Sequence, residues 1–196
     1  MLRVALTGGA ATGKSYVLEQ LRKHGIPTLV ADDLAHGATG AGTEATAAIA
    51  ARFGADIIAA DGSVDRSSLG AIVFADEAAR RDLEAIVHPA VYRAIEAGLR
   101  AFDKAGDWLA VVEIPLLYET GHASDFDHVI VTVCSELTQL RRLAARGING
   151  TRAKQITGAQ MPTAEKAARA DFVINTDGEK LQTDAQVRDL LQRLVR

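Results

Sequence analysis

The sequence has 196 residues, a formal net charge of −3 at pH 7, and 48% hydrophobic and 24% charged side chains. These proportions are ordinary for a globular domain, and a chain of this length can bury a sizeable core. The slightly acidic balance excludes a basic surface spread over the whole protein, so we expect no nucleic-acid partner. No stretch approaches the ~20 apolar residues that span a bilayer, and the N-terminus leads directly into a strand pattern. Together these features predict no membrane anchor, no signal peptide and a cytoplasmic protein.

The first motif along the chain is a glycine-rich stretch that reads G-x-x-x-x-G-K-S. An apolar run precedes it and helical apolar spacing follows it, which is the strand–loop–helix context of a phosphate-binding P-loop. Glycines let backbone N–H groups approach phosphate oxygens, and the following helix directs its positive end at them. We expect Lys14 to reach the β- and γ-phosphates of ATP and the Ser15 hydroxyl to bind Mg²⁺. The residues predicted to hold the nucleotide are Gly8, Gly9, Ala10, Ala11, Thr12, Gly13, Lys14, Ser15 and Tyr16.

A pair of carboxylates follows the second predicted strand, which runs from Pro27 to Ala31. In open α/β sheets, ligands bind beyond the carboxyl ends of the strands, so the P-loop and these carboxylates are expected on the same edge. A carboxylate there can orient or deprotonate an attacking hydroxyl group. We assign this function to Asp32 and expect Asp33 to cap the next helix.

Residues 34–106 are predicted to form a helical insertion. The stretch 37–46 is rich in Gly, Ala and Thr, which favours a mobile loop leading into a helix. Apolar residues from 83 to 102 follow the spacing of an amphipathic helix. Pro89 interrupts that pattern, so we expect either a kink or a new helix starting there. On residue type alone, His88 is interpreted as structural.

Three more strands are predicted at 108–114, 129–133 and 172–174. Glu113, at the end of the first of them, and Glu119, shortly after it, could each hold magnesium through water, and Glu119 could instead be a solvated side chain. Ser135 is a plausible N-cap for the helix after the strand at 129–133. That helix carries Arg141, Arg142 and Arg146. Because the helix would start from the phosphate-binding edge, these arginines are candidates for the site.

Five short strands alternating with helices predict an α/β fold with a parallel, doubly wound sheet. With a P-loop, a helical insertion and a basic segment before the last strand, the layout is typical of small P-loop kinases. We divide the chain into a core (1–33, 107–146 and 168–196), a helical acceptor-binding insertion (34–106) and a short lid (147–167).

The residues alone leave three alternatives. A nucleoside monophosphate kinase or a kinase of a shikimate-like acceptor would share this layout. A nucleotide-dependent switch would be expected to carry an N-K-x-D motif after the fourth strand, where this chain has Cys134-Ser135-Glu136-Leu137. An inactive P-loop protein is the third alternative.

Several further motifs follow one another in a specific order and carry a resemblance to one family. They are Ala31-Asp32 with Leu34-Ala35-His36, Asp61 to Arg66, His88-Pro89, Pro115 to Glu119, Thr138-Gln139-Leu140 with Arg142 and Arg146, and Gln160 with Ala170 to Asn175. With the P-loop, they cover nearly the whole chain, which thereby resembles the dephospho-coenzyme A (dephospho-CoA) kinases.

The resemblance implies an ATP- and Mg²⁺-dependent transfer to the ribose 3′-hydroxyl of dephospho-CoA. It implies that Asp32 is the catalytic base, and that Arg142 and Arg146 neutralise the transferring phosphoryl group when the lid closes. It also implies that adenine lies near Asn175. Weaker candidates for contacts to the acceptor are Arg66 and His88. We expect a monomer or a weak homo-oligomer, with small molecules as its binding partners.

The chain departs from the family pattern at three positions. Val30 replaces a usual aspartate two positions before Asp32, Tyr16 replaces a usual threonine, and Ala11 replaces a common glycine. The methyl group of Ala11 is expected to fit if the backbone there does not need a positive φ.

Overall fold

The structure is a computed structural model in which residues 1–195 are described. The chain divides into two compact units. The first unit comprises residues 1–29 together with the chain from Phe102 onward, and the second comprises Val30–Ala101.

A five-stranded parallel sheet has the strand order β2-β3-β1-β4-β5. Its strands are β1 (Leu2–Gly8), β2 (Thr28–Val30), β3 (Leu109–Glu113), β4 (His128–Val133) and β5 (Phe172–Asn175). The predicted α/β class and parallel sheet are confirmed.

Nine helices accompany the sheet in the described part of the chain. They are α1 (Lys14–Lys23), α2 (Ala31–Ala38), α3 (Glu44–Phe53), α4 (Arg66–Ala75), α5 (Glu77–Ala105), α6 (Glu136–Ala145), α7 (Gly150–Gly158), α8 (Thr163–Ala168) and α9 (Lys180–Leu194). The predicted N-cap of α6 is confirmed, because the Ser135 hydroxyl accepts a hydrogen bond from the backbone N–H of Thr138.

The middle strands of the sheet form the core of the first unit. Every residue of β3 is buried, and the apolar stretch Val4–Leu6 of β1 is fully enclosed. Strands covered on both faces read as continuous apolar runs, which is why the sequence of these segments does not alternate. In register, Leu6 of β1 pairs with Glu113, the last residue of β3, and Gly8 pairs with Thr132, one residue before the end of β4. The P-loop therefore begins close to the ends of β3 and β4.

The second unit has its own small core around Ile49, Ile57, Val64 and Leu69. Side chains of α3, α4 and α5 pack against it, including Phe53. The predicted turn at Asp61-Gly62 is present: Gly62 has a φ of 81°, and the Asp61 carboxylate accepts hydrogen bonds from the N–H and hydroxyl of Ser63.

Three local expectations are wrong or need a change of boundary. Strand β2 ends at Val30 and α2 begins at Ala31, so Asp33 lies in the first turn of the helix and does not cap it. Carboxylates in a first turn are favoured by the helix dipole, which explains the early start. The expected loop at 37–46 is shorter, because α2 runs to Ala38 and the Thr43 hydroxyl caps α3. Of the two alternatives expected at Pro89, a new helix is wrong, because Pro89 lies inside the continuous helix α5, and a kink stays a prediction.

Candidate nucleotide site and acceptor site

The inner side of the P-loop is held by residues of the loop and of α1. The Lys14 ammonium donates hydrogen bonds to the carbonyls of Gly8 and Gly9, at 3.1 and 3.0 Å. The Thr12 hydroxyl donates to the Gly9 carbonyl at 2.8 Å. Lys14 is 9% exposed, so its charge lies within the loop.

The outer side of the loop is held by helix α6. Gln139 Nε2 donates to the carbonyl of Ala10 at 2.6 Å, and Arg142 Nη1 donates to the carbonyl of Ala11 at 3.3 Å. The two side chains are three residues apart and therefore lie on the same face of the helix. The helix that follows β4 thus fixes the middle of the P-loop.

The loop after β5 holds the carbonyl of Thr12, near the end of the P-loop. The Thr176 hydroxyl donates to the carbonyl of Thr12 at 2.7 Å, and Thr176 is buried. Its side chain lies so close to Gly13 that a Cβ atom there would be 2.9 Å from it, and Gly13 also has a φ of 96°. Only glycine fits at this position.

Five consecutive carbonyls, from Gly8 to Thr12, therefore accept hydrogen bonds from side chains. Lys14 holds the carbonyls of Gly8 and Gly9 from the inner side, whereas side chains of α6 and of the loop after β5 hold those of Ala10, Ala11 and Thr12 from the outer side. Holding the latter three carbonyls from outside favours backbone N–H groups that face the concave side of the loop, which is the arrangement that binds an anion. The N-terminus of α1 adds the positive end of its dipole. The arrangement can hold the phosphates of a nucleotide.

Ala11 adopts a φ of 58°, so the condition under which its methyl group was expected to fit is not met. The methyl group is nevertheless packed: Ala11 is 8% exposed and clusters with Leu143 and Ala153, with Ile148 against them. This burial offsets part of the cost of the left-handed backbone.

The remaining predicted residues of the nucleotide site lie at its margins. Ser15 is exposed in the first turn of α1. The Tyr16 hydroxyl donates to the carboxylate of Asp184 at 2.7 Å, and this hydrogen bond is the main reason that the pKa of Tyr16 is raised to about 12. Asn175 ends β5, and its backbone exchanges two hydrogen bonds with the Gln186 side chain.

Two more predicted residues, Arg146 and Glu113, lie outside the P-loop. Arg146 is exposed just after α6, whereas Arg142 is half-buried. Glu113 is buried at the carboxyl end of β3.

Glu119 is an exposed residue, but its carboxylate is paired and its side chain is 22% exposed. Its carboxylate pairs with the ammonium of Lys166 at 2.8 Å and accepts a hydrogen bond from the backbone N–H of Met161. Burial alone would raise the pKa of the Glu119 carboxyl group, but these donors outweigh it and lower the pKa below its usual range.

The second unit contains the other predicted residues. Asp32 is exposed in the first turn of α2, and its carbonyl contacts His36 Nδ1 at 2.8 Å. Arg66 Nη2 donates to the Thr39 hydroxyl at 2.7 Å. His88 is half-buried on α5.

An open cavity of about 310 Å³ lies within this second unit. Asp33, the neighbour of Asp32, lies on its wall, and most of the other lining groups are small and apolar. The lining residues are Asp33, Leu34, Gly37, Ala38, Thr43, Glu44, Ala45, Ala90, Arg93 and Ala94. The cavity therefore offers an apolar recess beside the candidate base.

Gln139 and Thr176 were not predicted as site residues. Gln139 was noted only as part of a short motif, and its spacing from Arg142 was the available signal for a shared helix face. Thr176 carries no sequence signal, because its contact with Thr12 joins residues 164 positions apart. Among the described residues, no group of three or more His, Cys, Asp or Glu side chains could hold a metal ion, and no helix is long and apolar enough to cross a membrane.

Comparison with known proteins identifies the family. A family model described as dephospho-CoA kinase matches residues 2–182. The chain belongs to the dephospho-CoA kinase family. It is 43% identical to a dephospho-CoA kinase of Shouchella clausii over 98% of both chains. It is 47% identical to that of Anaeromyxobacter dehalogenans over 89% of this chain and 83% of the relative.

Solved structures agree with this assignment. The chain is similar to TT1252 from Thermus thermophilus, with a TM-score of 0.86 and 29% identity over 100% and 98% of the two chains. A dephospho-CoA kinase from Campylobacter jejuni gives a TM-score of 0.75 at 27% identity, covering 98% and 96%. A shikimate kinase from Bacteroides thetaiotaomicron, at 14% identity and a TM-score of 0.51 over 100% and 99%, shares the fold.

Proposed function

We propose that this chain transfers the γ-phosphoryl group of ATP to the ribose 3′-hydroxyl of dephospho-CoA, giving CoA and ADP. Membership in the dephospho-CoA kinase family supports the acceptor. The observation that carries the kinase chemistry is the P-loop, in which Lys14 lies on the inner side and side chains outside the loop hold the carbonyls of Ala10, Ala11 and Thr12. This reaction is the last step in the synthesis of CoA, and we place it in the cytoplasm, where ATP is available.

In the proposed reaction, a bond forms between the 3′-oxygen and the γ-phosphorus, and the bond from that phosphorus to the β–γ bridging oxygen breaks. Asp32 accepts the proton of the 3′-hydroxyl. Lys14 and the P-loop amides balance the negative charge of the phosphates, and because they are preorganised, little reorganisation is needed during transfer.

Ser15 would hold Mg²⁺ together with the nucleotide's own phosphates. Magnesium commonly keeps several waters and uses few protein ligands. The exposed Ser15 hydroxyl fits such a site, because the described residues include no cluster of acidic side chains that would supply a full set of ligands. When bound, the ion would neutralise charge on the phosphate oxygens.

The two arginines are proposed to act differently. Arg142 is already engaged with the backbone of Ala11 and Thr176, so we assign it to holding the nucleotide site in place. Arg146 is exposed directly before the predicted lid (147–167), so we assign it to the charge that develops on the transferring phosphoryl group.

The second unit is proposed to bind the acceptor. Its cavity beside Asp33 is apolar enough for part of the pantetheine arm, and Arg93 on its wall can meet a phosphate oxygen. Arg66 and His88 remain candidates for further contacts to the acceptor.

The proposal is tested by mass spectrometry of products after incubation with ATP, Mg²⁺ and one acceptor at a time. We expect dephospho-CoA to gain one phosphoryl group, and AMP and shikimate to remain unmodified. Efficient phosphorylation of AMP or shikimate, or ATP hydrolysis without transfer, would refute the proposed acceptor. Light scattering on the same sample checks that the protein is a monomer or a weak homo-oligomer.

A further inference from the structure

Lys166 is the largest fully buried side chain in the described part of the chain, with 0% of its surface exposed. It lies on α8, at the end of the predicted lid. A buried ammonium group is costly unless charged and hydrogen-bonding partners compensate it. The groups that compensate the charge of Lys166 therefore show which segments its burial holds together.

Two acceptors surround this ammonium group. Lys166 Nζ lies 2.8 Å from Glu119 Oε1 and donates to the carbonyl of Pro115 at 2.7 Å. The same oxygen of Glu119 accepts from the backbone N–H of Met161, just before α8. The helix is thus fastened at its start and at Lys166 to the segment that follows β3.

The Pro115 carbonyl connects this anchor to the P-loop. The hydroxyl of Thr7 donates to the same carbonyl at 3.2 Å. Thr7 is fully buried in β1 and is followed directly by Gly8, the first residue of the loop.

The first residue of α8, Thr163, lies directly against the loop. Thr163 and Lys166 are three residues apart, so they share a helix face. A Cβ atom at Gly9 would collide with the hydroxyl oxygen of Thr163 and would lie 3.1 Å from Gln139 Nε2. Helices α8 and α6 therefore form a wall on the outer side of the loop at Gly9.

We propose that Lys166 is a positioning residue for the phosphate-binding loop: its contacts with Glu119 and Pro115 fix α8 so that Thr163 confines Gly9. The inference rests on the proposed kinase function only in naming ATP as the ligand. Lys166 touches no phosphate itself and acts through α8. The alternative is a lysine that stabilises the fold without affecting the nucleotide.

The first test compares K166M and E119Q with the wild type, and uses E165Q as the matched control. Glu165 is on the same helix but pairs with the exposed Arg169 on the surface. Binding of a non-hydrolysable ATP analogue is measured by calorimetry, well below the melting temperature of each variant. Displacement of a preorganised site by about 1 Å can cost ~10²-fold, so we expect at least ~10-fold weaker binding in K166M, a smaller loss in E119Q and none in E165Q.

The second test does not depend on the stability of K166M. G9A should weaken binding of the analogue because the new methyl group meets Thr163, and the double variant G9A/T163A should recover most of that loss. G9A/E165A is the control and should recover none.

A lower melting temperature for K166M with unchanged binding of the analogue would overturn the inference, and so would a G9A defect that T163A does not relieve. Wild-type turnover of dephospho-CoA is measured in parallel. If the wild type bound the analogue but did not phosphorylate dephospho-CoA, the proposed function would fail while the positioning of the loop by Lys166 could still be read from binding.

Discussion

Arg142 donates two hydrogen bonds to Thr176: Nη2 donates to its carbonyl at 2.7 Å and Nη1 donates to its hydroxyl at 2.9 Å. The same Nη1 also reaches the carbonyl of Ala11, and the Thr176 hydroxyl in turn donates to Thr12. One guanidinium group therefore joins the loop after β5 to the P-loop. The planar fork of arginine can make several such bonds at once, which lysine cannot.

The two arginines near α6 should therefore give different kinetic defects. R142A should weaken ATP binding and also lower kcat, because the loop loses a support. R146A should lower kcat and leave ATP binding nearly unchanged, because the charge it meets develops during transfer; arginines in that role are worth about 10³ to 10⁵ in kcat elsewhere. Binding of an ATP analogue and steady-state kinetics separate the two effects. Equal loss of affinity in both variants would contradict the division of roles.

K14A should lower kcat/KM by at least ~10²-fold, the scale of losing one preorganised contact in the transition state. The matched control is K23A, at the exposed end of the same helix, where Lys23 pairs with Glu19 on the surface. Kinetics and thermal melting are compared for both. Near-normal turnover of K14A with an unchanged melting curve would show that the nucleotide binds elsewhere.

Replacing Ala11 by glycine should change stability little. Relief of the left-handed backbone is worth about 1–2 kcal/mol, whereas the greater chain entropy of glycine costs about 0.5–1 kcal/mol and the lost methyl burial about 0.8 kcal/mol. A153G removes a methyl group from the same cluster but from the helix α7, so it should destabilise by roughly 2 kcal/mol. Urea unfolding measures both. Equal losses would mean that the backbone at Ala11 stores no strain.

The sequence predicted the sheet, the P-loop and most helix positions because these rest on local patterns of apolar residues and glycine. It did not predict the supports of the loop. Gln139 and Thr176 act through contacts to residues more than 100 positions away. The ion pair of Glu119 was not predicted because its partner Lys166 lies 47 positions further along the chain. Pairings between distant residues leave no periodic signal in a single sequence.

The ion pair of Glu119 predicts a pH dependence of stability. Its pKa is lowered in the folded protein, so the stabilisation is present above the unfolded pKa of about 4.3 and is lost as the pH falls through the folded value. The difference in melting temperature between wild type and E119Q should therefore be largest near neutral pH and shrink on acidification below about pH 4.5. E165Q, at an exposed pair, should differ little from wild type at any pH. A constant difference between wild type and E119Q across this range would contradict the assignment.

The last prediction compares two neighbouring carboxylates, Asp32 and Asp33, in the first turn of α2. Both are exposed, and each should stabilise α2 by a similar ~0.3–1 kcal/mol through its interaction with the helix dipole. The variants D32N and D33N should therefore have similar melting temperatures. Their kinetics should differ. If Asp32 is the base, D32N keeps size and hydrogen bonding but cannot accept a proton, and kcat should fall by ~10² to 10⁴-fold.

Asp33 lies on the wall of the cavity in the second unit, so D33N should at most alter the KM for dephospho-CoA and leave kcat nearly unchanged. ATP-analogue binding serves as the control and should be unaffected in both variants, because the P-loop holds the phosphates. Steady-state kinetics with both substrates varied provides the measurement. A larger loss of kcat in D33N than in D32N, or equal losses in the two, would show that the base has been assigned to the wrong residue.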